Sequence, residues 1–129
     1  MQSEKLKNTE QNSKLDIKIR SYRFALSIIR LIDSLSNCRA NMIIGDQLLR
    51  SATSIGANII EAQAASSRRD FKNFLNHSLK SANETKFWLA LLRDSGKVSE
   101  NAINPLLGEA KELANILASS ILTLKNKKL

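Results

Sequence analysis

The sequence predicts an all-α fold, an antiparallel up-down-up-down four-helix bundle, and three observations lead to it. Four Gly and one Pro in 129 residues are too few to turn a chain at every corner of a β-sandwich. Aromatic residues, which favour strands, make up only 5% of the chain. Apolar residues, 43% of the total, recur at steps of three and four in four long segments, the period of an amphipathic helix. Asn37-Cys38-Arg39, Ser66-Ser67 and Asp94-Ser95-Gly96-Lys97 separate the segments, and connections this short force antiparallel neighbours. The length suits one core and not two. Residues 1–14 read as a polar tail whose sizeable apolar side chains are Met1 and Leu6, 15–124 as the bundle, and 125–129 as a basic C-terminal tail.

In the first helix Ile17, Phe24, Ile28, Leu31 and Leu35 share one narrow arc, flanked by Ile32. The neighbouring arc carries Arg20, Arg23, Ser27, Arg30 and Ser34 with no carboxylate, a basic stripe. The second helix, near residues 41–65, holds only Asp46, Arg50 and Glu61 as charges. Its core side is Ile44, Leu48, Ala52, Ile55, Ile59 and Ala62. A second, smaller-residue side of Leu49, Thr53, Gly56, Ala57, Ile60 and Ala64 asks for another neighbour. Gln47, Arg50, Ser51, Ser54, Asn58 and Glu61 complete the circumference as a polar stripe that must be wet or mutually satisfied.

Ser67 three residues before Asp70 resembles a capping box and starts the third helix, with Arg68 and Arg69 in its first turn. Phe71, Phe74, Leu75, Ser78, Ala82, Thr85, Leu89 and Leu92 share its inner face, and Gly96 supplies a left-handed exit. Phe87 and Leu91, four apart on the opposite side, form an apolar patch the bundle leaves uncovered. The fourth helix turns Leu106, Ala110, Leu113, Leu117, Ile121 and Leu124 inward. Two starts compete for it. Ser99 is one cap; Asn104 with Pro105 at the first helical position is the other, which avoids losing a backbone bond at the proline and predicts a kink or restart there.

Lys and Arg number 20 against 12 Asp and Glu, a formal charge of +8 that attracts polyanions. Cys38 is the single cysteine and forms no internal disulfide. The polar opening lacks the apolar core of a secretion signal, so the expected compartment is the cytoplasm. No stretch reaches the ~18 uninterrupted apolar residues of a membrane span. One His and one Cys do not make a zinc site in one chain. His77 lies opposite its helix's core arc without the Glu-x-x-His spacing of a di-iron bundle. Gly45, Gly56, Gly96 and Gly108 are scattered and form no phosphate-cradling loop. Glu109 and Glu112, three apart, read as a solvated face. No catalytic residue, metal or cofactor is expected.

The run from Gln47 through Arg50, Ser54, Gly56, Asn58 and Glu61 to Ala62, with a second stretch from Asp70-Phe71 through Ser81 and Glu84 to Leu89, resembles a bacterial four-helix-bundle family. It is the family of proteins encoded by intervening sequences in 23S ribosomal RNA genes. The resemblance implies a ring-shaped homo-oligomer, a homopentamer in relatives. It extends to the accessory variability determinants of diversity-generating retroelements, basic proteins that bind a reverse transcriptase and nucleic acid. It supplies no catalytic set, and leaves Arg50, Ser54, Asn58, Glu61, Ser81 and Glu84 as structural or binding residues.

The expected function is nucleic-acid binding, to structured RNA, through phosphate contacts by Arg20, Arg23, Arg30, Lys72 and Lys80. Residues 1–40 and 66–98 carry the basic excess, eight against four and seven against three. The aromatics that would mark base stacking fall in the core, Tyr22 excepted. Leu49, Ala57, Ile60, Phe87 and Leu91 are the expected contacts between copies. The alternative is a protein-interaction scaffold for a partner such as a reverse transcriptase. No helix has the bulky apolar face opposed to a Lys-rich face that membrane binding needs.

Overall fold

The structure, a computed structural model, describes residues 17–126. It consists of four α-helices, α1 (Ile17–Ser34), α2 (Arg39–Gln63), α3 (Arg68–Asp94) and α4 (Glu100–Asn126). Each packs on its neighbours in sequence and α1 closes against α4, the up-down-up-down order that short connections dictate. The expected 1–14 tail lies outside the described residues, as do Lys127 and Lys128 of the C-terminal one.

Helix ends follow local chemistry. At α3, Ser67 takes an extended backbone and its hydroxyl accepts from the Asp70 N–H at 3.1 Å. At the other end Gly96 adopts φ +74° and its N–H bonds to the Arg93 carbonyl at 3.1 Å, a conformation that costs residues with a Cβ more than it costs glycine. At α2 the cap residue, Cys38, makes no side-chain cap bond. The buried Asn41 reaches back instead, its amide donating to the Ser36 carbonyl and hydroxyl, both at 3.0 Å.

The fourth helix starts at the earlier of its two candidate caps. Ala102 N–H donates to the Ser99 hydroxyl at 3.3 Å, and α4 runs through Pro105 as a single element. The Asn104 start, and the restart it implied, are therefore corrected. Beginning a turn sooner brings Ile103 into the core at 0% exposure, worth about 1.5–3 kcal/mol. The bond forfeited at Pro105 is worth about 1 kcal/mol and falls where Asn101 is exposed to water. The inward register shifts accordingly: Ile103, Leu107 and Ala114 are buried, while Leu106 and Leu124 are only partly so.

The core joins Phe24, Ile28 and Leu31 of α1 to Leu48, Ile55 and Ile59 of α2, Leu75, Leu89 and Leu92 of α3 and Leu113, Leu117 and Ile121 of α4. Part of the second dry side of α2 is covered inside the chain, because Gly56 lets α1 approach. A Cβ built there would stand 3.0 Å from the Ser21 hydroxyl oxygen and 3.5 Å from its Cβ. Ser21 is fully buried and donates to the Lys18 carbonyl. Coupled behaviour is expected of this pair. Gly56→Ala alone gains helix propensity but crowds Ser21, so its net effect is small. On a Ser21→Ala background the same change stabilises by about 1 kcal/mol. Urea denaturation of the four chains of the double-mutant cycle measures the difference.

Candidate functional site

The basic stripe of α1 does not act as one unit. Arg20 lies in the α1–α4 seam, where its Nε donates to Glu109 at 3.0 Å and its Nη2 donates to both Glu109 and, at 2.7 Å, Glu112. Its side chain is only 12% exposed. The two carboxylates hold the Arg20 pKa above the ordinary arginine value: the Glu109 hydrogen bond is the largest cause, opposed by desolvation and supported by Glu112. Glu109 and Glu112, expected on a solvated face, are thus half of a clamp that fastens the loosest side of the bundle. A guanidinium already matched by two carboxylates is a poor phosphate ligand, which sets Arg20 apart from the other expected phosphate contacts. Arg23 and Arg30 point outward from the same stripe, exposed and without an ion-pair partner among the described residues. On α3, Lys80 is exposed and Lys72 half-buried, with no such partner either.

Replacing Arg20 by Ala is expected to destabilise the fold by about 1–2 kcal/mol, since most of the pair is shielded but Glu112 is well solvated. A lower urea midpoint with unchanged slope is the signature. The raised pKa fixes the sign of the pH dependence. The folded state holds the proton more tightly, so the contribution is complete below the unfolded-state pKa and is lost only as pH rises through the folded one, in strongly alkaline solution.

The polar stripe of α2 is satisfied mostly within its own helix. Ser54 donates to the Arg50 carbonyl at 2.7 Å and the Asn58 amide donates to the Ser54 carbonyl at 2.8 Å. Arg50 and Glu61 are exposed. Bonds that cross between helices involve Ser51 of this stripe and two buried hydroxyls of α3. The Thr85 hydroxyl donates to the Ser51 hydroxyl at 2.9 Å, and the Ser78 hydroxyl donates to the Ile55 carbonyl at 2.8 Å. All three side chains are buried. They pin α2 to α3 along one seam. Ser81 and Glu84 border this seam from α3, and Glu84 accepts from the Trp88 indole N–H at 3.0 Å.

Among the described residues several large apolar side chains are exposed, Met42, Ile43 and Leu122 among them, and those expected between copies fall on two surfaces. One is a groove of about 330 Å³ between α1 and α2, lined by Tyr22, Ala25, Ile29, Ala57 and Ile60 among others. Tyr22 and Ile60 are 66% and 54% exposed there. The other is the outer face of α3, where Phe87 is 58% and Leu91 38% exposed and Phe87 stacks edge-on against Trp88. Of the expected contacts between copies, Ala57 and Ile60 open into the groove, Phe87 and Leu91 form the second surface, and Leu49 is half-buried.

His77 is exposed beside Phe74, and Cys38 sits half-buried before α2. Among the described residues no cluster of three His, Cys, Asp or Glu side chains is placed to hold a metal ion, and no helix is long and apolar enough to cross a membrane.

The family model described as 23S rRNA-intervening sequence protein matches residues 13–119, most of the chain. The chain belongs to the 23S rRNA-intervening sequence protein family. Among solved structures it is similar to a protein of unknown function from the S23 ribosomal protein family of Bacteroides thetaiotaomicron, solved at 1.70 Å. That protein is 41% identical, with a TM-score of 0.77, over 81% of this chain and 97% of the other. No curated protein matches the chain.

The two stretches that carry the resemblance lie on α2 and α3 and meet along their shared seam. The groups that cross it, Ser51, Ser78 and Thr85, occupy or adjoin core positions, which is the signal that marks them: a small hydroxyl on an apolar arc has to find an internal acceptor. Ser21 gives the same signal, four residues after Ile17 and three before Phe24.

Proposed function

We propose that this chain is a non-enzymatic RNA-binding protein that assembles from identical copies into a ring, a homopentamer, and contacts structured RNA through its phosphates. The observation that carries the reading is charge that the fold leaves unspent. The chain holds +8, and Arg23, Arg30, Lys72 and Lys80 have no ion-pair partner among the described residues. A pentamer multiplies that charge fivefold on one particle.

The ring reading draws on the two apolar surfaces. A closed ring needs head-to-tail contacts, in which one patch of a copy meets a different patch of the next. The α1–α2 groove and the Phe87/Leu91 face supply such a pair: a concave surface on one side and projecting rings on another. In this arrangement Phe87 of one copy seats against Ile60 and Tyr22 of its neighbour.

Binding through phosphates predicts affinity that falls steeply with salt. Fluorescence anisotropy with a labelled RNA duplex should give a log–log slope of several units, near 0.9 per phosphate neutralised. Arg23→Glu with Arg30→Glu should weaken binding uniformly across sequences. No detectable binding at low salt, or the same affinity in the double variant, sinks the reading. The exposed groove also favours a second reading, a scaffold for another polypeptide such as a reverse transcriptase. It predicts a monomer that joins a heteromeric complex through Tyr22 and Ile60, and RNA affinity that does not respond to Arg23 and Arg30.

A further inference from the structure

The geometry points to one pole of the bundle, the end at which α1 begins and α4 ends and called here the termini pole, as the place where RNA is held; this rests on the RNA-binding reading above. Antiparallel order brings together the start of α1, the end of α2, the start of α3 and the end of α4. The cavity lined by Ile17, Gln63, Phe71 and Leu124 marks where they meet. Each pole contains two helix N-termini and two C-termini, so the helix dipoles oppose one another and side-chain charge sets the difference between the ends.

That difference is large. The termini pole carries Lys18, Arg68, Arg69, Lys72 and Lys125 against Glu61 and Asp70. All five cations except the half-buried Lys72 are exposed, and none has an ion-pair partner among the described residues. At the far pole Arg30, Arg39, Arg93 and Lys97 are balanced by Asp33, Asp46, Asp94 and Glu100, and Arg93 is bound to Asp94 at 2.9 Å. Arg20, toward the middle, is matched by Glu109 and Glu112. Of the two ends of the bundle, the termini pole is therefore the positive one, while Arg23, Lys80 and Lys86 continue the unpaired charge along its sides.

Assembly magnifies this polarity. Copies related by rotation about one axis all present the same pole in the same sense. With the bundle axes running along the ring axis, a ring collects its basic poles on one face, and a polyanion laid across that face meets several at once, with the gain in avidity that linked contacts bring.

The test compares two charge reversals of equal size. Arg68→Glu with Arg69→Glu alters the termini pole; Arg39→Glu with Lys97→Glu alters the far pole. Arg68, Arg69 and Arg39 occupy first turns, where a carboxylate suits the helix dipole, and Lys97 lies in the exposed α3–α4 turn, so both variants are expected to fold, as circular dichroism checks. The probe is a labelled RNA duplex of about 20 base pairs, long enough to span two minor grooves. The termini-pole variant should bind at least about tenfold more weakly, with the salt slope reduced by roughly two; the far-pole variant should change by less than about threefold. Equal losses in the two variants, or a larger loss at the far pole, overturn the polar placement while leaving RNA binding intact. A wild-type chain that does not bind the duplex overturns both.

Discussion

Leu113→Ala is expected to destabilise the bundle by about 3–5 kcal/mol, while Leu122→Ala, nine residues on in the same helix, changes stability by no more than about 0.5 kcal/mol. Leu113 is fully buried and Leu122 is 60% exposed. The first deletion removes apolar contact and leaves a cavity bounded by side chains from facing helices; the second exposes nothing new. Against a total of about 5–15 kcal/mol for a domain, the Leu113 change takes a large share of the margin. Urea midpoints read the contrast, and comparable values for the two variants would place the α4 register elsewhere.

The second large effect concerns assembly. Ile60→Glu and Phe87→Glu should each dissociate the ring, because a carboxylate pressed into an apolar contact without a partner costs several kcal/mol. Both positions are more than half exposed in the isolated chain, so the folded bundle should be unaffected. A head-to-tail contact makes a sharper prediction for the mixture. The Ile60→Glu chain keeps its Phe87 face, and the Phe87→Glu chain keeps its groove. One intact contact remains between unlike variants, and none propagates it further. An equimolar mixture should therefore give a heterodimer of twice 14.4 kDa, where each variant alone gives monomers. Light scattering distinguishes this from a face-to-face contact, which would yield no heterodimer.

Much of the fold was legible in local chemistry. The Ser67 cap, the Gly96 exit and the apolar arcs of α1, α2 and α3 each depend on residues a few positions apart. The start of α4 was not settled locally, because Pro105 argues for Asn104 while the burial of Ile103 argues for Ser99, and only packing against the other helices weighs one against the other. The candidate site shows the same boundary. Arg23, Arg30 and Lys80 could be read from the sequence as exposed cations. Arg20 could not be separated from them, because the carboxylates that hold it lie 89 and 92 residues away. Likewise Thr85 finds Ser51 across 34 residues, a pairing that helical periodicity on either side leaves open. Gly56 reads as one more small residue until Ser21 is placed against it.

Self-association underlies both the ring and the pooled charge, and the mass of the particle tests it most directly. Sedimentation velocity of the unmodified chain at micromolar concentration and near-physiological salt should show a single species of about five times 14.4 kDa. A species of 14.4 kDa, with Ile60 and Phe87 facing solvent, would contradict the account.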